Sequence, residues 1–313
     1  MPHELSAYIA ITDRDWFDCL RTAGPLDEVN FWQPSPSGGF AALKPGEPLL
    51  FKLHSPDNFI VGGGFFAYWT RLPLSLAWDS FRINNGATSL SQMRERLERY
   101  RRTAATLRED YQIGCILLEQ PFFLERPDWL PVPGWHSSIQ RGKTYALVEE
   151  PGRSLWEQIM LRISAKPPEV QQQAETVAQA ERFGKPLLVN PRLGQGSFRV
   201  IVTDAYQRRC AFTGERVLPV LEAAHIQPYA EGGEHRVDNG LLLRSDLHTL
   251  FDRGYLTVTG KYRVEVSHRM KTDFENGRDY MALHGGGISP PKNLSDRPAS
   301  EFLIWHNENC FLG

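Results

Sequence analysis

Short apolar blocks separated by turn residues dominate the first half of the chain, and this pattern predicts strands. Residues 7–12 form one β-prone block. Residues 49–53 and 59–61 flank His54-Ser55-Pro56-Asp57-Asn58, a hairpin signal. Gly62-Gly63-Gly64 then opens a strand over 65–70, and the unbroken apolar run 113–118 suits a buried strand. One basic helix is expected at 91–108, with Leu97, Tyr100 and Ala104 on one face and Arg94, Arg96, Arg99, Arg101 and Arg102 around the rest. A second helix over 154–163 stops at Lys166-Pro167-Pro168, and the polar, Gln- and Ala-rich stretch 169–181 reads as a linker helix. Beyond it, 200–208 predicts a helix leading to Cys210, which reads as a buried strand residue. Strands are expected at 217–226 and 241–244. Ser245 is placed to N-cap a short helix that stops at Gly254. A hairpin follows over 255–259 and 262–267, and the apolar segment 302–305 docks on the core.

At about 150 residues per domain, 313 residues hold two. The expected division is a first domain at 1–165, a helical linker at 166–190 and a second domain at 191–313. With 41% hydrophobic and 23% charged residues, the chain is globular and broad disorder is excluded. The balance of 35 basic against 37 acidic residues excludes a binder that relies on bulk positive charge, though not a local basic groove. Cys19, Cys115, Cys210 and Cys310 are far apart and form no C-x-x-C, so neither a zinc ribbon nor a disulfide framework is expected. The N-terminus lacks the basic and apolar regions of a signal peptide, and no run is long enough to span a bilayer. The reading is a cytoplasmic protein with no membrane partner.

The informative stretch is EAAHIQPYAEGGEHRVDNGLLLRSDLHTLFDRG, residues 222–254. His225 ends an apolar strand before a loop with Gly232-Gly233. Asn239 follows fourteen positions later, beside the next strand, and His248 lies inside the short helix. Asp252 follows His248 by one helical turn, so the two share a face and can hold one metal ion. Imidazole plus carboxylate suits a single divalent ion, Mg2+, Mn2+, Ni2+ or Zn2+, with positions left for water and phosphate. The chemistry would be phosphodiester hydrolysis, with neutral His225 as general base and Asn239 orienting the loop or the ring of His225. His235, His268 and His284 read as structural or solvated histidines.

These letters resemble the HNH nucleases of the ββα-metal superfamily. The resemblance implies that His225 is the base, Asn239 the orienting residue and His248 a metal ligand, with Asp252 where some members place a second ligand. Many members carry a metal-binding side chain immediately before the base. Here that position is Ala224, which leaves Asp252, or more weakly Glu222, to compensate. Residues 191–214 also resemble the lead-in of HNH proteins of the restriction-endonuclease type. There Arg192, Gln195, Arg199, Arg208 and Arg209, together with Lys185, are candidates for DNA contact against one acid, Asp204.

The first domain resembles the PUA-like superfamily, in particular EVE-type domains. The segments are 29–35, 44–66, 77–87, 113–123 and 129–135. The fold class implied is α+β: an N-terminal PUA-like small β-barrel joined by a helical linker to a C-terminal ββα-metal HNH domain. The resemblance implies a reader of modified, cytosine-type bases in double-stranded DNA. Phe31, Trp32, Trp69 and Trp78 are its candidate walls, and Gln33, Asn84 or Asn30 its edge readers. A flipped base costs a few kcal/mol, and stacking returns roughly 1–3 kcal/mol. The function expected is a modification-dependent DNA endonuclease of restriction or phage defence. Cutting both strands with one-metal sites fits a homodimer. The other reading, favoured by Ala224, is a non-cleaving PUA-like nucleic-acid binder with a structural HNH module. No P-loop, zinc-deaminase signature or G-x-S-x-G elbow is present.

Overall fold

The computed structural model describes residues 5–35, 38–101, 109–164, 166–183, 193–275 and 277–313. The chain is mixed α+β and divides into two compact units, Met1–Leu193 and Gly194–Gly313. Among the described residues, no helix is long and apolar enough to cross a membrane.

The first unit is built on seven strands: β1 (Ser6–Thr12), β2 (Glu28–Gln33), β3 (Pro48–Leu53), β4 (Phe59–Pro73), β5 (Gln112–Phe123), β6 (Leu130–Pro131) and β7 (Gly142–Ala146). Their order is β2-β5-β4-β3-β1-β7, with β6 paired to β4. Only β1 and β3 run parallel; β3 and β4 form the antiparallel hairpin expected from the turn at 54–58. The triple glycine does not open a new strand. It lies inside β4, where a side chain on Gly62 would collide with the Phe122 carbonyl and one on Gly63 would come within 2.8 Å of the Leu49 carbonyl. These glycines therefore serve the contact between neighbouring strands, and the register shifts beside them.

Side chains alternate along the strands, so the sheet is covered on both faces. Ile9, Leu50, Ile60, Phe65 and Phe122 pack against α4 (Gly152–Ile163) and α5 (Pro168–Phe183). Ala10, Leu49, Phe51 and Ile116 pack against Trp16, Phe17 and Leu20 of α1 (Arg14–Thr22). The segment predicted as a linker helix is thus α5. Val170, Ala174, Val177 and Ala180 make a narrow apolar stripe on it, buried in the core of the first unit.

The remaining helices of this unit are α2 (Leu74–Phe81) and α3 (Leu90–Glu98). Helix α3 is shorter than the basic helix predicted, and Arg102 and Ala104 lie outside the described residues. Its cations are mostly engaged. Arg96 is buried and donates to the Gly86 carbonyl, Arg99 pairs with Glu95 at 3.0 Å, and Arg101 lies 3.7 Å over the Tyr111 ring.

The second unit opens with α6 (Gln195–Ala205). Next come the antiparallel pair β8 (Leu221–His225) and β9 (Gly240–Arg244), then α7 (Ser245–Asp252). The hairpin β10 (Leu256–Val258) and β11 (Val264–Val266), helices α8 (Arg269–Phe274) and α9 (Arg278–Met281), and α10 (Ser300–Asn309) complete it. The strand expected from 217 starts only at Leu221, after a 3-10 turn at Leu218–Val220. Cys210 is fully buried, but in an irregular segment just before the turn at 211–213 and not in a strand. Ser245 does not cap α7. It is the first helical residue, and the start is held by a forked Arg244–Asp246 pair with both contacts at 2.7 Å. Asp246 also places negative charge where the helix dipole favours it.

Helix α10 brings the buried ring of His306 onto Phe251 of α7, with centroids 3.8 Å apart. The Nε2–H of His306 donates to the Phe251 carbonyl at 3.2 Å, and Nδ1 accepts from Thr257 Oγ1 at 2.9 Å. Burial, partly offset by the Phe251 bond, holds this ring neutral until about pH 4, where an unburied histidine protonates near 6.5. The unfolded chain therefore binds the proton first, and stability falls as pH drops from about 6.5 to about 4. Each pH unit across that window is worth about 1.4 kcal/mol, so the loss reaches about 3 kcal/mol from this residue. Denaturant titrations at pH 7 and pH 4.5 should show it, and His306→Gln should shrink the difference to the part contributed by His225, whose pKa burial likewise pulls down to about 4. An equal difference in that variant would assign the acid sensitivity elsewhere.

Candidate functional site

Two faces of α7 divide its work. Leu247 and Phe251 point into the core, while His248 and Asp252, one residue further along, stay at the surface. Gly254 ends the element in the left-handed region at φ 74°, where a side chain would collide with the Cys310 carbonyl. Strand β8 delivers His225 at its last position, opposite Gly240 of β9. Ala224, beside it, is fully buried.

Asn239 is also fully buried, and all its side-chain bonds go to backbone. Its Oδ1 accepts from Gln227 N at 2.9 Å, and its Nδ2 donates to the carbonyls of Gln227 at 2.9 Å and Glu234 at 3.0 Å. The 227–239 loop is thereby closed on itself. Asn239 orients this loop and makes no bond to the His225 ring. The two loop glycines serve the same closure: Gly232 has φ 83°, and a side chain on Gly233 would collide with the Gln227 carbonyl.

The imidazole of His225 packs face to face on Phe198 of α6, with centroids 3.9 Å apart and planes at 10°. Its Nε2 lies 2.8 Å from Nδ1 of His235. Burial first, then the neighbouring His235 and His248, pulls its pKa down to about 4. The ring is therefore neutral at pH 7.

His248 lies between two carboxylates. Its Nδ1 is 2.7 Å from Glu222 Oε2, and its Nε2 is 3.3 Å from Asp252 Oδ2. In the neutral tautomer Nδ1–H donates to Glu222, an arrangement that orients metal-binding histidines. The Nε2 lone pair then faces an Asp252 oxygen at 3.3 Å, a gap that either a shared proton or a metal ion can bridge. Burial raises the Asp252 pKa, His248 lowers it and Glu222 raises it further. This donor set fits one divalent ion held by His248 and Asp252, with Glu222 steering His248. Among the described residues, no three His, Cys, Asp or Glu side chains form a closed cage. Water and a phosphate oxygen would have to complete the shell.

Of the candidate DNA contacts, Gln195 and Arg209 are exposed and Arg199 is half-buried. Arg208 is tied to Asp204 at 3.1 Å, while Arg192 and Lys185 lie outside the described residues. The sequence pattern does not single out Phe198, Tyr229 or His235 as site neighbours. His235, expected to be structural or solvated, is in contact with His225.

The first unit holds a separate cavity of about 320 Å3, whose lining includes Phe31, Trp32, Gln33, Asp13, His54 and Tyr100. Trp69 stands behind this wall: its Nε1–H donates to Gln33 Oε1 at 3.0 Å and fixes the orientation of that amide. Trp78 and Asn84 do not line the cavity. Trp78 sits on α2 beside Arg82, and Asn84 in the 3-10 turn Arg82–Asn85. Asn30 is fully buried and bonded to Asn85 at 2.9 Å, so it belongs to the core. At the cavity edge, Tyr100 donates to Asp13 at 2.5 Å and His54 approaches the same oxygen at 3.5 Å. Burial and then Asp13 push the Tyr100 pKa up to about 12.

In the second unit, an antiparallel strand pair presents one imidazole and the following helix presents an imidazole and a carboxylate. That is the form of a ββα nuclease core. Residues 210–259, the stretch from Cys210 through the strand pair and α7, match the family model described as HNH endonuclease, so this unit carries an HNH endonuclease domain. No curated protein sequence matches the chain. Among solved structures, it is similar to ASCH from Zymomonas mobilis, at 9% identity and a TM-score of 0.26, covering 37% of this chain and 69% of that one. A serine-to-alanine mutant of the same ASCH protein gives 10% identity and a TM-score of 0.31, over 51% and 99% of the two chains. The modification-dependent TagI restriction endonuclease gives 12% identity and a TM-score of 0.28, over 85% of this chain and 62% of that one.

Proposed function

We propose that the protein is a modification-dependent DNA endonuclease. In this reading the first unit, together with its cavity, inspects a modified base and the second unit cuts the sugar–phosphate backbone. The observation that carries it is the placement of neutral His225 on β8 and of the His248–Asp252 pair on α7, in one ββα unit.

His225 takes a proton from water as the water oxygen bonds to phosphorus and the P–O3′ bond breaks. The 3′ oxygen takes its proton from solvent. Asn239 keeps the loop behind the base closed, and Phe198 fixes the ring plane. His248 and Asp252 would hold the divalent ion, Mg2+, Mn2+, Ni2+ or Zn2+. When bound, it would supply positive charge to the scissile phosphate and the departing oxygen. Gln195, Arg199 and Arg209 would contact DNA phosphates.

The reader half rests on a cavity walled by aromatic rings and edged with hydrogen-bonding groups. Phe31 and Trp32 offer stacking surface, and Gln33, locked by Trp69, offers its NH2 end as donor. A cavity of about 320 Å3 leaves room for a substituted pyrimidine. Modified cytosine in double-stranded DNA is the ligand class proposed, and a homodimer is the assembly that would cut both strands.

Binding by the full-length His225→Ala protein tests the reader half without cleavage. Duplexes carrying 5-methylcytosine, 5-hydroxymethylcytosine or its glucosylated form would be compared with plain DNA. One of them should bind at least about tenfold tighter, a difference of about 1.4 kcal/mol. Phe31→Ala should erase that preference and keep the plain-DNA affinity. Equal affinities across all duplexes would leave an unmodified-DNA nuclease.

A further inference from the structure

His235 lies on the loop between β8 and β9, and its contact with His225 has chemical content. The two rings are 4.9 Å apart between centroids, tilted by 56°, with His225 Nε2 and His235 Nδ1 at 2.8 Å. Phe198 stacks on His225, and Tyr229 stacks on His235 with centroids 4.7 Å apart and planes at 9°. The imidazole pair is therefore clamped between two aromatic rings, on a loop that Asn239 closes.

A hydrogen bond between two neutral imidazoles contains one proton. If it sits on His235, the nitrogen of His225 outside the pair must be the protonated one, and His225 has no lone pair left to offer water. If it sits on His225 Nε2, the Nδ1 lone pair is available. Among the described residues, no hydrogen bond engages His225 Nδ1. Only the second arrangement lets His225 serve as a base.

We propose that His235 is a positioning residue of the nuclease site: its Nδ1 accepts the Nε2–H of His225 and fixes the tautomer and ring plane in which Nδ1 of His225 takes the proton from water. This rests on the reading of His225 as the base. After that transfer His225 carries both protons, and the bond to His235 becomes charge-assisted and stronger. The stabilisation therefore grows as the proton moves, which is the condition for lowering a barrier.

Two measurements on the full-length protein test this. With 15N-labelled histidine, NMR should place the shared proton on His225 Nε2 and show a nitrogen–nitrogen coupling across the bond to His235 Nδ1. A proton on His235 Nδ1, or no coupling, would overturn the proposal whether or not the protein cuts DNA. The second measurement is kinetic. His235→Phe keeps a ring against Tyr229 but has no acceptor, whereas His235→Asn keeps an acceptor near the Nδ1 position. Outer partners of active-site histidines are worth roughly 10–100-fold, so kcat should fall by that factor in His235→Phe at unchanged KM for DNA. His235→Asn should recover most of it. Wild-type kcat in His235→Phe, with His225→Ala inactive, would overturn the proposal alone. Wild-type cleavage by His225→Ala would overturn the base assignment and the proposal together.

Discussion

His225→Ala should lower kcat for DNA cleavage roughly 10²–10⁴-fold, the usual worth of a positioned general base. The affinity for DNA should stay within a factor of about two, since Gln195, Arg199 and Arg209, the side chains proposed to meet the phosphates, are left in place. The effect is expected to be large because neither Asn239 nor Glu222 is free to replace the lost imidazole. Asn239 spends its amide on the loop backbone, and Glu222 is turned to His248. Gel-shift and single-turnover cleavage measured on the same preparation separate the two effects. Loss of binding along with cleavage would make His225 a structural residue.

His248→Ala should remove the main binding event when Mn2+ or Ni2+ is titrated into the protein by calorimetry. Its Nε2 is the nitrogen that faces Asp252, and Glu222 holds the ring in that pose. Charge stabilisation by a bound cation contributes several kcal/mol to phosphodiester cleavage. At about 1.4 kcal/mol per decade, cleavage should drop by about 10³-fold or more. Asp252→Asn should weaken the same titration less, because the amide oxygen remains a ligand without its charge. An unchanged titration in His248→Ala would take the residue out of the ligand set.

The nuclease half was legible because its elements follow one another locally. A strand, a loop with two glycines, a second strand and a helix lie within residues 221–252, and the i, i+4 spacing alone puts His248 and Asp252 on one face. What stayed hidden depends on contacts made across the fold. Phe198 meets His225 only because α6 packs on β8, and His235 meets it only because Asn239 folds the loop back. No periodicity records either event. The first unit was less legible for a similar reason. Aromatic residues on a sheet covered on both faces can point to core or to cavity. Phe31, Trp32 and Gln33 line the cavity while Trp78 and Asn84 do not, a division set by how the strands fold and not by local pattern. The glycines of β4 imitate a break in sequence, yet they let three strands approach.

Helix α5 carries a practical consequence for dissecting the molecule. Its composition suggests a dispensable tether, but Val170, Ala174 and Val177 shield Leu155, Trp156 and Ile159 from water. A fragment trimmed before Pro168 would bare that apolar patch and would aggregate or lose its shape. The first unit prepared in isolation therefore has to retain the chain through Phe183.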